Sequence, residues 1–298
     1  MITVPPMKIP TLHWTRPRKL TLALAAVTMA GCAQWKATPP SPHESRGLPA
    51  ASVAADATVM DIIFWPLPDA LPASDIDAGA DPLEILWRDT DELAVDAKTR
   101  TALQANGLRA GRIDHIEQLL DRIGIPQPDD PAQKLLQQAA VSSDIASSQH
   151  RLPFRDGQQE EFAIRQTSKE SQSVVIRKGK DSIGRTLQQP QFLLTLQARP
   201  SDDGRVRIRT WPRIEHGPFR QSYVSTDQVI RTNMQREQWV LRELLIDTPL
   251  DQNQSLLIAP LKDPFGLGKQ ILTAARPDGT TERVAILIRV ARKPQPAL

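Results

Sequence analysis

Residues Gln191-Phe192-Leu193-Leu194-Thr195-Leu196-Gln197-Ala198-Arg199 place Phe192, Leu194, Leu196 and Ala198 at every second position. Pro200-Ser201-Asp202-Asp203-Gly204 follows, and Arg205-Val206-Arg207-Ile208-Arg209 resumes the alternation with Val206 and Ile208. A side-chain period of two belongs to a strand, whose successive residues face opposite sides of a sheet. Asp and Gly between two such runs favour a tight turn, so the stretch predicts a β-hairpin. Phe162/Ile164, Val174/Ile176 and Val284/Ile286/Ile288/Val290 keep the same kind of parity. This is the pattern of an antiparallel sheet buried on one face. Residues 151–298 are therefore expected to form a mainly antiparallel β domain.

Upstream the pattern is mixed. Val59, Ile62, Ile63, Phe64 and Trp65 form a short apolar run that Pro66 and Pro68 end, as in a buried strand. Asp81-Pro82 opens a short helix through Trp87, with Pro in its first turn. Asp96 to Asn106 followed by Gly107 has an acidic start and a glycine stop, and Leu108 to Arg112 reads as a returning strand. Ile113, Ile116, Leu119, Leu120 and Ile123 repeat at helical spacing up to Gly124. Asp130-Pro131 begins a further helix carrying Leu135, Leu136, Ala139 and Ala140, and Ser142 to Gln149 loosens into a linker. The fold class expected is α+β: a small N-terminal α/β or α+β unit over 58–125, a helix and linker over 126–150, and the β domain. Residues 61–130 carry 15 acids and 6 bases, and residues 151–298 carry 16 acids and 24 bases. Two regions of opposite sign are expected to be two domains that attract one another.

Residues 1–31 are not read as fold. Lys8, Arg16, Arg18 and Lys19 precede an apolar run from Leu20 to Ala30, and Met29-Ala30-Gly31 leads to Cys32, the single cysteine of the 298 residues. The run is about half of the roughly 20 residues that a membrane-spanning helix needs. Charge, apolar run, small residues and cysteine resemble a bacterial lipoprotein signal, in which cleavage precedes a cysteine that then carries diacylglycerol. The resemblance implies lipidation of Cys32, and Ala33, in place of an acidic residue, favours the outer membrane over the inner. Residues 32–57, rich in Pro, Ser and Ala, read as a tether with a mean reach of about 27 Å. Removal of 1–31 takes away four bases and no acids, so 33 basic and 34 acidic side chains remain. The formal charge of −1 withdraws the electrostatic argument for a nucleic-acid partner. At 40% apolar and 24% charged residues the chain has ordinary globular composition, which excludes wholesale disorder. One cysteine excludes a disulfide scaffold.

The segments Phe192 to Ile208, Leu241 to Leu261, Phe265-Gly266-Leu267-Gly268 and Val284-Ala285-Ile286-Leu287-Ile288 follow one another in a layout that resembles the C-terminal region of bacterial secretins, the ring-shaped outer-membrane secretion pores. In that family a strand hairpin is followed by two strands about a polar turn, a glycine-bearing gate segment and a terminal apolar strand. The chain departs from the pattern at Asp251-Gln252-Asn253-Gln254 and at Ile258-Ala259-Pro260, where the family carries glycines. The whole chain is also similar to uncharacterised lipoproteins of planctomycete bacteria, above all in Leu103-Gln104-Ala105-Asn106-Gly107-Leu108-Arg109-Ala110-Gly111. The secretin likeness implies an oligomeric ring.

Motifs for chemistry are lacking. Phe265-Gly266-Leu267-Gly268-Lys269 has Asp263 where a phosphate loop needs its first glycine and Gln270 where it needs Ser or Thr, so it reads as a turn. No nucleophile elbow and no His-Glu-x-x-His occurs. His13, His43, His115, His150 and His216 fall in the signal, the tether, a polar helix side, the linker and a turn, too scattered for a metal site. No catalytic residue, metal or cofactor is expected. The candidate site is the strand Arg205-Val206-Arg207-Ile208-Arg209-Thr210-Trp211, in which Arg205, Arg207, Arg209 and Trp211 share one parity about 6 to 7 Å apart. One reading is a strip that binds an anion or a partner, with Trp211 as the anchor. The other is a solvated sheet face with cross-strand acids. The function expected is a noncatalytic, lipid-anchored envelope protein that binds a protein or cell-wall partner. A secretin-like oligomer is the alternative, and an envelope hydrolase the third.

Overall fold

A computed structural model describes residues 57–68, 81–116, 149–226, 229–252, 254–275 and 280–294, with backbone alone for 222–226 and 229–233. Cys32, the signal, the tether up to residue 56, and the helix and linker between 117 and 148 lie outside the described residues. Residues Val53–Leu298 belong to one compact unit. Among the described residues no helix is long and apolar enough to cross a membrane.

The strands are β1 (Thr58–Leu67), β2 (Thr90–Asp91), β3 (Leu108–Asp114), β4 (Gln149–Phe154), β5 (Gln159–Ala163), β6 (Ser171–Lys178), β7 (Asp181–Gln188), β8 (Gln191–Pro200), β9 (Val206–Thr226), β10 (Val229–Val240), β11 (Ile246–Leu250), β12 (Gln254–Pro260), β13 (Thr273–Ala275) and β14 (Thr281–Arg292). Short helices span Pro82–Arg88, Ala97–Ala105 and Gly266–Leu272. The first sheet has the order β2-β3-β12-β14-β1-β4, with β13 also on β14. The second has the order β10-β9-β8-β5, with β11 also on β9, and β6 and β7 form a separate hairpin. The pairings are antiparallel, and the protein is mainly antiparallel β.

The predicted division between 58–125 and 151–298 is not how the strands pair. β1 lies between β14 and β4, with Phe64 opposite Ile286, and β3 pairs with β12, with Gly111 opposite Leu257. The N-terminal strands are thus interleaved with the C-terminal ones in one sheet. A strand inside a sheet satisfies the hydrogen-bonding groups of both its edges only between neighbours, and for β1 one of these, β14, comes from the far end of the chain.

That sheet is buried on both faces rather than one. Met60, Ile62, Phe64, Ile258, Ile286 and Ile288 meet residues of the second sheet such as Leu196, Ile208 and Leu250. On the other face Trp65, Leu257 and Leu287 pack under Leu83, Ile85 and Leu86 of the Pro82–Arg88 helix. Double burial explains the unbroken apolar run Val284-Ala285-Ile286-Leu287-Ile288, of which alternation captures half. In the second sheet the start of β9 alternates, with Val206 and Ile208 buried and Arg207 and Arg209 outward, whereas Phe192 to Leu196 of β8 are all buried. β1 continues through Pro66, where the pairing with β4 has ended opposite Ile63 and, among the described residues, only the β14 side is paired.

Local signals set the helix ends. Asp81 Oδ1 accepts the Leu83 amide at 3.0 Å, with Pro82 in the first turn. Asp96 Oδ1 accepts the Thr99 amide at 2.9 Å, and Gly107 follows Asn106 at φ +80°. Ile113 is in β3, opposite Ser255, and not in the helix that its spacing suggested. Phe265 to Lys269 is also more than a turn, because it opens the Gly266–Leu272 helix. There the Gly268 amide donates to Asn106 O at 2.9 Å, and a Cβ on Gly268 would lie 2.0 Å from Gly107 O. These glycines permit the closest backbone approach in the helix–strand layer, so their role there is packing.

Candidate functional site

The hairpin of β8 and β9 turns through Ser201–Gly204, with Gly204 at φ +76° and its amide donating to Ser201 O at 3.0 Å. This sets the parity of β9. Val206, Ile208 and Thr210 face the interior, while Arg205, Arg207, Arg209, Trp211, Arg213 and Glu215 share the opposite face.

Each predicted arginine meets an acid. Arg205 Nε donates to Asp203 Oδ2 at 2.8 Å, across the turn. That bond, with the Arg205 backbone amide, holds the Asp203 carboxyl down to about 2. Arg207 Nε donates to Asp247 Oδ1 at 2.6 Å, and Arg209 Nε lies 3.5 Å from Asp247 Oδ2. β11 puts Asp247 directly opposite Arg209 and Pro249 opposite Arg207, so one carboxylate spans two guanidiniums. Arg205 also lines a recess of 240 Å³ with Lys293, which pairs with Asp251 at 2.7 Å.

Trp211 departs from the expectation. It is 2% exposed, with the Arg242 guanidinium 4.0 Å above its ring, so it offers no anchor to a partner. The 3₁₀ turn Arg242–Leu244 carries that guanidinium, and a strand's parity says nothing of a lid that arrives from elsewhere in the chain. The face continues where the sequence reading stopped. Arg213 donates to Glu161 and lies 3.0 Å from Glu215. The same parity, carried two residues beyond Trp211, finds it.

Beyond Glu215 the strand leaves the body. β8 pairs with β9 only as far as Glu215, whereas β10 follows β9 to Thr226. Gly217-Pro218-Phe219 stand opposite the single residue Arg236 between the pairs His216–Glu237 and Arg220–Gln235. Pro218 has no amide to donate, and a bulge accommodates it. Buried Arg236 clamps the bulge: its Nε donates to Gly217 O at 2.9 Å, and it also donates to Gln189 O. His216, expected in a turn, is in the strand with its Nδ1 3.7 Å from Glu237 Oε2, and Arg220 pairs with the same carboxylate at 3.1 Å. The bulge exposes Phe219 by 67%, and the ribbon beyond it exposes Met234 by 62%.

A second charged constellation escaped the sequence reading. On the helix-covered face of the first sheet, fully buried Asp61 accepts from Arg151 Nε at 2.7 Å and Arg289 Nε at 2.8 Å, from the strands on either side. Burial pushes its carboxyl up, but the two arginine hydrogen bonds outweigh that and hold it below the usual carboxylate range. The available signal was a lone acid between Met60 and Ile62 in an otherwise apolar run. His150, assigned to a linker, is in β4 with its ring 6.1 Å from that of Phe64 and 5.5 Å from that of Phe162. Burial lowers its pKa. Among the described residues no group of three or more His, Cys, Asp or Glu is placed to hold a metal ion.

Comparison with known proteins finds no family model that matches the chain, no similar curated protein and no similar solved structure.

Proposed function

We propose that the protein is a noncatalytic, lipid-anchored component of the bacterial cell envelope, attached at Cys32 to the outer rather than the inner membrane because Ala33 stands in place of an acidic residue, and that its β body docks a protein or cell-wall partner. The observation that carries the docking role is the ribbon of β9 and β10. Past Glu215 it is a two-stranded extension with exposed Phe219 and Met234. Such ribbons are marginal on their own, and exposed large apolar side chains add nothing to the stability of the body, so a partner is the natural use for both. The neighbouring face of Arg205, Arg207, Arg209 and Arg213, paired with Asp203, Asp247 and Glu161, supplies a polar rim of fixed charges. Paired charges of this kind set register and specificity more than affinity. A secretin-like ring of copies is the second reading, supported by the outer edge of β10, which no described strand covers.

The test has two arms. Cys32→Ser should leave the chain unprocessed or release it from membranes, and unchanged maturation and fractionation would overturn the anchor. Crosslinked capture from envelopes should lose its partner when Phe219 and Met234 are both changed to Ser. An unchanged capture would overturn the docking role, and an assembly of many copies of this chain alone would favour the ring.

A further inference from the structure

The hairpin of β6 and β7 carries Arg177, Lys178, Lys180 and Arg185 against the single acid Asp181, a formal charge of +3 over Ser171–Gln188. Its register pairs Lys178 with Asp181, which leaves the two-residue turn Gly179-Lys180 with Gly179 at φ +63°. Residues 177–186 are all exposed, and a Cβ on Gly179 would meet nothing within 4 Å, so the tip is convex and open. Its base is fixed. Val174, Ile176 and Leu187 are buried, and the Asn106 side chain donates to Arg177 O at 2.9 Å and accepts the Arg177 amide at 2.8 Å. Arg185 is held 4.6 Å over the Trp239 ring. Among the described residues Arg177, Lys178 and Lys180 form no ion pair, in contrast to the arginines of β9. Beside them Val175 is 48% exposed on the face that carries Arg177, and Ile183, opposite Ile176 on the other face, is 38% exposed.

We propose that this hairpin tip is a docking site for an anionic lipid surface. Unpaired cations with small apolar neighbours on a convex projection suit the headgroup layer, where cations meet lipid phosphates and short aliphatic side chains enter the acyl boundary. A convex tip does not enclose an acidic peptide, and residues 171–188 contain no aromatic ring on which nucleic-acid bases would stack. The inference rests on the reading of the chain as an envelope protein only for the presence of a membrane. The tip would hold the body against the bilayer independently of Cys32.

The experiment uses the chain from Ala33 onward, which keeps the whole compact unit Val53–Leu298 and removes both signal and lipidation site. Cosedimentation is measured with vesicles of phosphatidylglycerol and phosphatidylcholine in equal parts and with phosphatidylcholine alone. Binding to the mixed vesicles only, weakened by salt, is expected. Each cation near such a surface is worth roughly fivefold in partitioning, so Arg177→Gln/Lys178→Gln/Lys180→Gln should weaken it about a hundredfold. Val175→Ser should weaken it severalfold. No binding by the parent, binding that the hairpin triple leaves unchanged, or tighter binding to polyglutamate or single-stranded DNA than to the vesicles would overturn the proposal. Because the anchor is absent from this chain, failure here is distinct from failure of lipidation at Cys32.

Discussion

Two carboxylates in this molecule each lie between two arginines, and they do so in opposite environments. Asp61 is fully buried between Arg151 and Arg289 on β1, next to the edge strand β4 of the first sheet, while the Asp247 side chain is 30% exposed between Arg207 and Arg209 on the outer face of the second. The chemistry is similar, but Asp61 takes one arginine from the strand on each side of it whereas Asp247 faces two from β9 alone, and the largest contrast between them is access to solvent. The Asp61 carboxylate has no access to water and Arg289 has little, so loss of its charge leaves Arg289 without a good replacement even though Arg151 reaches solvent, whereas water replaces a lost partner at the surface. The buried cluster is therefore a structural element, and the exposed one is free to vary or to meet a partner.

The largest effect is expected at the buried member. Asp61→Asn should destabilise the protein by about 3 to 5 kcal/mol, read from urea or thermal unfolding, because it keeps the side chain's shape but removes the charge that Arg151 and Arg289 share and turns an amide N–H toward them. Its folded pKa is depressed, so its contribution is present above the unfolded value of about 4 and is lost as pH falls through the folded value. The parent should accordingly lose stability below about pH 4 more steeply than Asp61→Asn does. Equal slopes would mean that the cluster does not drive acid unfolding.

Next comes the residue that separates surface from core within β9 itself. Trp211→Ala should cost about 3 kcal/mol, as for other buried aromatics, where a partner-facing anchor would cost almost nothing in the isolated protein. Arg205→Gln/Arg207→Gln/Arg209→Gln should cost about 1 kcal/mol or less, since the acids it orphans are solvated and it removes the like-charge neighbour that Arg199 makes with Arg207 across β8 and β9. Capture yield measured on the same variant tells whether the face takes part in binding. The smallest effect is expected for Asp247→Asn, at about half a kcal/mol. If it matched Asp61→Asn in a thermal melt, burial would not be what distinguishes the two clusters.

The candidate surface was partly legible. Parity and turn chemistry located Arg205, Arg207 and Arg209 on one face, since both depend on residues within a few positions of one another. The neutralising Asp247 was not legible, because β11 meets β9 some forty residues later and only the pairing register brings them together. The unpaired tip at Lys178-Gly179-Lys180 was just as hidden. Sequence shows its charges, but only packing shows that, among the described residues, none of these cations is held in an ion pair, even with Asp181 opposite Lys178 in the register.

The sequence by itself determined what local stereochemistry controls: alternation in β8 and β9, the turn at Gly204, the Asp81-Pro82 and Asp96 helix starts, and the stop at Gly107. Tertiary structure alone decided that β1 inserts beside β14, that the first sheet is covered on both faces, and that Trp211 lies beneath Arg242. The physical reason is range. Backbone preferences and side-chain period act over a turn or a strand, whereas strand partners, burial and ion pairing are settled by which distant segments exclude water from one another.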